Sequence, residues 1–212
     1  MPLTPSPTEL TTAATDAALA LLCVVLLVSL LRRPAQQSWR RAIWASVFAL
    51  LAIGSVIGAI AHGLDLSDAA RAVWWRPLYL SLGLCVALFV VGAIGDWRGQ
   101  RAARAALPWA TAAGLGFFAV TQLGGGSFLF FVGYEAVAMI AALATYLMLW
   151  RRHAMAGAGV VATGIALTLV AAAIQQTSFS ATIVWPFDHN GLFHLIQMVA
   201  VVVIARGLSS TS

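Results

Sequence analysis

Seven apolar runs, each about long enough to cross a bilayer, dominate this sequence. They cover residues 13–31, 42–64, 77–95, 107–122, 128–150, 156–175 and 191–208. A helix needs about 20 mostly apolar residues to span the hydrocarbon core, and only helices and closed barrels satisfy their backbone groups there. Hydrophobic residues make up 61% of the chain and charged residues 9%, too few to cover a water-soluble surface. The sequence therefore predicts an all-α membrane protein, a bundle of seven transmembrane helices.

The organisation along the chain follows from these runs. The first run is predicted to be a retained helix and not a cleaved signal peptide, because Arg32 and Arg33 follow its apolar core instead of preceding it. Residues 1–12 are predicted to form a short tail outside the cytoplasm, disordered or lying on the surface. Residues 13–208 form one transmembrane domain, and 209–212 a cytoplasmic tail. A glycine-rich turn at 124–127 is expected to join the fourth and fifth helices.

The arginines predict the orientation. Cytoplasmic loops carry an excess of basic residues, and ten of the twelve arginines follow odd-numbered runs or lie in the connections after them. We therefore expect an N-terminus outside and a C-terminus inside, in the plasma or inner membrane of a bacterium. The ten are Arg32, Arg33, Arg40, Arg41, Arg98, Arg101, Arg104, Arg151, Arg152 and Arg206, and the other two are Arg71 and Arg76.

Other residue types narrow the class of protein. The basic charge of +5 comes from arginines that flank apolar runs, so no nucleic-acid partner is expected. The chain has no lysine, which excludes a retinal Schiff base. Cys23 and Cys85 lie within apolar runs and are interpreted as buried small hydrophobes. The eight tryptophans lie near the ends of the runs, where an interfacial ring is favoured. Gly54 and Gly58 predict close helix packing.

Ionisable side chains inside a bilayer are costly, about 2.5–3.5 kcal/mol each at a helix centre, and here they gather at one side. By the predicted orientation this is the outer side, whereas Asp96 and His153 on the inner side are interpreted as ordinary interfacial groups. Because the orientation was predicted from arginines alone, the clustering is independent support for a site. The outer polar residues are His62, Asp65, Asp68, Tyr79, Ser81, Tyr134, Glu135, Gln175, Gln176, Asp188, His189, Asn190 and His194.

Three of these histidines predict a zinc site. Three imidazoles and a water form a common catalytic zinc shell, in which the metal makes hydroxide available at neutral pH. His62, His189 and His194 are the candidate ligands, although a spacing of five turns His189 and His194 about 140° apart on one helix. They can converge only if His189 lies before the regular helix begins. Glu135 or Asp65 is expected to act as general base or to orient a ligand, with Glu135 facing the bundle interior.

The segments around these histidines resemble motifs of the CREST membrane hydrolase superfamily, which includes alkaline ceramidases, progestin and adiponectin receptors and haemolysin III-like proteins. Residues 55–62 (SVIGAIAH) resemble its second-helix motif and residues 188–197 (DHNGLFHLIQ) its seventh-helix motif. The resemblance implies seven helices and a zinc ion held by one histidine of the second helix and two of the seventh. Asn190 stands where the first of those two is expected, and Gly58 stands where the family has a serine. The aspartate that opens the family's third helix is also missing, with Tyr79 near its place.

Three functions remain open from the sequence. The first is a zinc-dependent hydrolase acting from the outer side on an amide or ester of a lipid-like substrate. The second is a non-catalytic receptor-like protein or carrier that uses the same cavity. The third is a haem protein with His62 and His194 as axial ligands. Membrane lipids and a lipid-like ligand are the expected partners.

Overall fold

The computed structural model describes residues 2–32, 38–123 and 128–210, which fold into seven helices and a small β-ribbon. The helices are α1 (Pro7–Arg32), α2 (Ser38–Gly63), α3 (Asp68–Arg98), α4 (Gln100–Leu123), α5 (Phe128–Arg151), α6 (Ala158–Gln175) and α7 (His189–Ser209). Two short antiparallel strands, β1 (Ala181–Thr182) and β2 (Pro186–Phe187), join α6 to α7. All seven helices are long and apolar enough to cross a membrane. The prediction of a multi-pass seven-helix membrane protein is confirmed.

Several helices begin earlier than their apolar runs. α1 begins at Pro7, α3 at Asp68 and α4 at Gln100, because polar residues at a membrane surface can continue a helix that hydropathy alone does not detect. Pro7 occupies the first helical position, where its missing N–H costs nothing. Ser67 caps α3, its Oγ accepting a hydrogen bond from the Ala70 amide. The predicted turn at 124–127 and Arg33 lie outside the described residues.

The N-terminal segment before α1 is held against the connection between α2 and α3. The Thr4 amide donates to the Gly63 carbonyl at 3.0 Å, and the Asp65 amide donates to the Pro2 carbonyl at 3.0 Å. Leu3 and Leu64 form an antiparallel bridge between these two hydrogen bonds. The segment expected to be disordered or surface-lying therefore has defined backbone partners.

The helices pack as a ring that α1 and α7 close. Each of α1, α2 and α3 packs on the next, α3 also contacts α5, and α5 packs on α6. α4 lies against α3 and, less extensively, against α5, so it is peripheral. The main core runs between α2, α3, α5, α6 and α7, with Trp44, Tyr146 and Ile165 among its most buried side chains.

Helices α6 and α7 approach each other backbone to backbone, and we call them the α6–α7 pair. A Cβ at Gly164 would lie 2.9 Å from the Ala200 carbonyl oxygen, and one at Gly207 would lie 2.9 Å from the Gly157 carbonyl oxygen. Such spacing leaves no room for a larger residue at either position. Small residues at this seam therefore set the distance between the two helices.

One end of the bundle, which we call the arginine end, is closed by an ion pair around Asp96. Arg40 donates from both Nε and Nη2 to the Asp96 carboxylate, and the Tyr146 hydroxyl donates to Asp96 Oδ2 at 2.7 Å. Arg40 Nη1 also reaches the Leu208 carbonyl at 3.3 Å. The Asp96 side chain is only 2% exposed, so it is an enclosed ion-pair partner and not an ordinary solvated charge. It joins α2, α3 and α5.

Three other side chains bear on the sequence predictions. Cys23 and Cys85 are free and buried, as predicted. Trp44 is not interfacial, because it is 1% exposed and packs edge-on against Phe89 at a ring distance of 5.0 Å. Trp44 lies early in its apolar run, but α2 already begins at Ser38, so the ring lies within the helix and packs into the core.

Candidate functional site

A cavity of about 360 Å³ opens at the opposite end of the bundle, which we call the histidine end. Along α2, Arg40 and His62 are 22 residues apart, or about 33 Å at 1.5 Å per residue, close to the thickness of a bilayer core. Part of the cavity lining is apolar, with residues such as Trp75, Phe128, Phe131 and Phe193. The polar lining residues are Asp16, Ser55, His62, Glu135, Gln175, Gln176, His189, Asn190, His194 and Gln197.

His62 lines the cavity and is held by a carboxylate from α1. Its Nδ1 lies 2.7 Å from Glu9 Oε2, so the Glu9 carboxylate accepts a hydrogen bond from Nδ1–H. The ring also meets Trp75 edge-on, with centroids 5.8 Å apart. Because Nδ1 is bonded to Glu9, Nε2 is the ring nitrogen that can accept a proton or bind a ligand. A carboxylate placed in this way fixes both the tautomer and the orientation of the imidazole ring.

His194 has hydrogen-bond partners for both ring nitrogens. The Thr15 hydroxyl gives its proton to the Thr12 carbonyl at 2.9 Å, so at 3.0 Å it accepts from His194 Nδ1–H. Nε2 lies 3.2 Å from Asp16 Oδ1. A carboxylate oxygen and an unprotonated ring nitrogen would repel each other, so one proton is held between them. His194 and Asp16 are 8% and 5% exposed, which makes this a buried proton-holding pair.

Gly58 makes room for the Asp16 carboxylate. A Cβ added at Gly58 would lie 2.6 Å from Asp16 Oδ2 and 2.9 Å from its Oδ1. The predicted role of Gly58 in close packing is confirmed, but its neighbour is the acid of the site and not an apolar helix face. The glycine therefore sets the position of a buried charged group.

The beginning of α7 is tied to α1 and α6 by polar side chains. Asp188 Oδ1 caps the helix by accepting from the Gly191 amide at 2.8 Å, and it also accepts from the Thr12 hydroxyl at 2.9 Å. Gln175 Nε2 donates to Asn190 Oδ1 at 3.2 Å. Asn190 thus bridges α7 to α6 from the position where the resemblance places a histidine.

The structure places the predicted residues as follows. His62, His189 and His194 all line the cavity, but His189 is the first residue of α7 and does not precede it, so the condition set for its convergence with His194 is not met. Glu135 is 8% exposed and faces the cavity, so its predicted inward orientation is confirmed. Asp65 is exposed in the connection before α3 and is not among the lining residues.

The donor chemistry around the cavity suits a divalent metal, but the arrangement described does not form a complete set. Imidazoles whose second nitrogen is held by a carboxylate or hydroxyl are typical of metal ligands, and His62 and His194 both meet that condition. Within residues 2–32, 38–123 and 128–210, no group of three or more His, Cys, Asp or Glu is placed to hold a metal ion. A metal at this cavity stays a prediction.

Sequence reasoning missed the contribution of α1. Glu9, Thr15 and Asp16 hold the two histidines, yet none was predicted as a site residue. Asp16 carried a usable signal, because it is the one ionisable residue within the run 13–31 and such residues in membrane helices mark functional sites. Glu9 carried none, because it lay in the segment expected to be a tail.

Comparison with known families places the chain in a family. A family of unknown function, DUF6962, matches residues 11–212, and the chain belongs to it. No curated protein and no solved structure matches the chain.

Proposed function

We propose that this family member is a membrane-embedded hydrolase that cleaves an amide or ester bond of a lipid-like substrate bound in the cavity of the histidine end. One observation carries the proposal: His62, held by Glu9, and the Asp16–His194 pair line a cavity that also has many apolar lining residues. Acid–base groups beside an apolar surface suit a substrate with a scissile polar bond and an apolar tail. The resemblance of the α2 and α7 segments to CREST hydrolases is further support.

The two pairs suit different proton transfers. His62, with Nδ1–H donated to Glu9, presents Nε2 as a general base toward a water molecule. The Asp16–His194 pair holds one proton that it can give to a leaving group. Pairs of titratable groups whose surroundings differ commonly divide the acid and base roles in this way.

The reaction then balances without further reagents. The oxygen of a water molecule forms a bond to the carbonyl carbon while one of its protons passes to His62 Nε2. The carbon–nitrogen or carbon–oxygen bond breaks, and the leaving amine or alcohol takes the proton of the Asp16–His194 pair. The products are a carboxylic acid and an amine or alcohol, and proton exchange with solvent restores both pairs. Glu135, buried on the same cavity, is a second candidate base.

Zinc gives an alternative form of this proposal, in which the histidines are ligands and do not transfer protons. The Nε2 atoms of His62 and His194 would then hold the ion, with the proton between His194 and Asp16 released and with His189 or the Asp16 carboxylate as the third donor. When bound, zinc would lower the pKa of a water molecule and polarise the substrate carbonyl.

A non-catalytic binding protein is the second candidate. The observation that favours it is that Asn190, at a position where the resemblance implies a metal ligand, instead accepts a hydrogen bond from Gln175. The haem alternative rests on His62 and His194 alone, and it would likewise need the proton between His194 and Asp16 to be released.

Hydrolysis and metal content of the purified protein test these candidates together. The protein in lipid nanodiscs is incubated with fluorogenic long-chain amides and esters, beside His62→Ala and Asp65→Ala variants. We expect turnover by wild type and Asp65→Ala and loss with His62→Ala. Elemental analysis and an absorption spectrum of the same samples separate zinc, haem and neither. Saturable binding of a long-chain amide without turnover would replace the hydrolase by the binding protein.

The orientation is also a proposal, supported by the split of the arginines. We infer that the histidine end faces outward and the arginine end faces the cytoplasm of a bacterial plasma or inner membrane. Single cysteines at positions 68 and 101, tested with a membrane-impermeant maleimide on intact cells, distinguish the two ends. We expect labelling at 68 alone, and labelling at 101 alone would reverse the orientation.

A further inference from the structure

The connection between α6 and α7 exposes a group of large apolar side chains that the proposed chemistry does not use. We call residues 177–187 the apolar loop. Phe179, Ile183, Val184 and Trp185 are between 59% and 74% exposed. The loop has no charged residue. Exposed apolar side chains grouped in this way indicate a surface that contacts something other than water.

The apolar loop is held in place at its base. Strands β1 and β2 pair Ala181 with Phe187, so the four exposed side chains lie in or beside a hairpin. The Thr11 hydroxyl donates to the Pro186 carbonyl at 2.6 Å, and Asp188 caps α7 directly after the loop. The apolar surface is therefore presented by an anchored ribbon.

The connection between α2 and α3 lies at the same end of the bundle and differs in chemistry. It exposes Asp65, Ser67 and Asp68 and no large apolar side chain of its own besides a half-buried Leu64. Charged, exposed residues are typical of a connection in water. The two connections therefore face different surroundings.

Lipid is the occupant that the neighbouring surfaces favour. The two helices joined by the apolar loop expose Val170 and Val199, 51% and 55%, along spans that cross the membrane. The loop directly joins these two helices, and Trp185 is of the residue type that concentrates at the membrane–water boundary.

We propose that the apolar loop inserts into the interfacial region of the protein's own bilayer at the histidine end. Phe179, Ile183, Val184 and Trp185 contact lipid, while Asp65 and Asp68 on the neighbouring connection remain in water. The insertion fixes the depth of the cavity, because Gln175 and His189 line it from either side of the loop. This proposal does not depend on the hydrolase.

Site-directed spin labelling in lipid nanodiscs tests the insertion. Nitroxide labels are attached to Val184→Cys, Asp68→Cys and Val170→Cys. The native Cys23 and Cys85 are buried, and unsubstituted protein measures their background. Collisions with oxygen report lipid contact, and collisions with a water-soluble nickel chelate report exposure to water. We expect the oxygen-to-nickel ratio at 184 to be severalfold above that at 68 and to approach that at 170.

Two outcomes would overturn the proposal. A ratio at 184 equal to that at 68 would place the loop in water. Dipolar broadening between labels at 184 that disappears on dilution with unlabelled protein would show that a second copy covers the loop, and not lipid.

Discussion

The two ends of the bundle each bury a carboxylate against a basic side chain, Arg40 of α2 at one end and His194 of α7 at the other. At the arginine end, Asp96 accepts two hydrogen bonds from Arg40 and one from Tyr146, and the group is enclosed. At the histidine end, Asp16 meets a single imidazole nitrogen and faces a cavity. The same types of group therefore serve two purposes. Strong donors that surround a carboxylate stabilise the bundle, and a weaker partner beside open space leaves a proton available.

The largest effect on stability is expected from Asp96→Ala. Removing one partner of a buried ion pair leaves the other charge uncompensated, which costs about 3–5 kcal/mol. The free energy of unfolding in nanodiscs should fall by about that amount. Asp65→Ala is the matched control, since an exposed aspartate should change it by less than about 0.5 kcal/mol. If both substitutions lowered the free energy of unfolding by the same amount, the Asp96 ion pair would not be a stabilising feature of the arginine end.

At the histidine end, Asp16→Asn should have a large effect on turnover and only a small effect on stability. The substitution keeps the shape of the side chain but removes the shared acidic proton, so hydrolysis should fall by about 100-fold or more. Because an amide can still hydrogen-bond His194, the free energy of unfolding should change by no more than about 1 kcal/mol. An unfolding cost as large as that of Asp96→Ala, with turnover retained, would mean that both ends are structural.

Gly58→Ala tests whether the position of the Asp16 carboxylate matters. The added Cβ would overlap with Asp16 Oδ1 and Oδ2, so the carboxylate must move away from His194. We expect a loss of about 1–3 kcal/mol in unfolding free energy, as for other overpacked sites, together with reduced turnover. Gly133→Ala is the control, because nothing lies within 4 Å of a Cβ at that position. Identical behaviour of the two variants would contradict the close contact at Gly58.

The smallest expected effect on the unfolding free energy comes from single polar side chains, Gln197 at the histidine end and Tyr146 at the arginine end. The Gln197 Oε1 atom is buried at the cavity, and no residue in the described part of the chain hydrogen-bonds it. Gln197→Leu should therefore leave the unfolding free energy unchanged or raise it by about 1 kcal/mol, since the desolvated amide is removed. Tyr146→Phe should instead lower it by about 1 kcal/mol. A destabilising Gln197→Leu would show that this amide is satisfied within the bundle.

Much of the fold was predictable from the sequence, whereas the site was predictable only in part. The seven runs predicted seven helices because apolar length is a property of each segment alone. His62, Glu135 and His194 were found because polar residues inside such segments are rare. Their partners Glu9 and Thr15 were not, because pairing depends on α1 lying between α2 and α7. Nothing in the order of the runs states which helices become neighbours.

The same limit explains Asp96. Its place at the end of a run suggested an interfacial charge, and only the approach of Arg40 and Tyr146 from other helices encloses it. Asp16 is the fourth residue of its run and was not predicted as a site residue, although an acidic side chain within a run is itself a signal of a site. The position of a carboxylate along its run therefore does not by itself separate a structural ion pair from a site residue.

The close seam between α6 and α7 has a mechanical consequence. The backbones in contact at Gly164 and Gly207 cannot slide or separate without losing their packing. We therefore expect the α6–α7 pair to move as one unit. The α6–α7 pair meets α1 at the histidine end through Thr12–Asp188 and Asp16–His194. A molecule that separates Asp16 from His194 would therefore also separate the α6–α7 pair from α1. We expect such a local change in the cavity to tilt both helices along their full length.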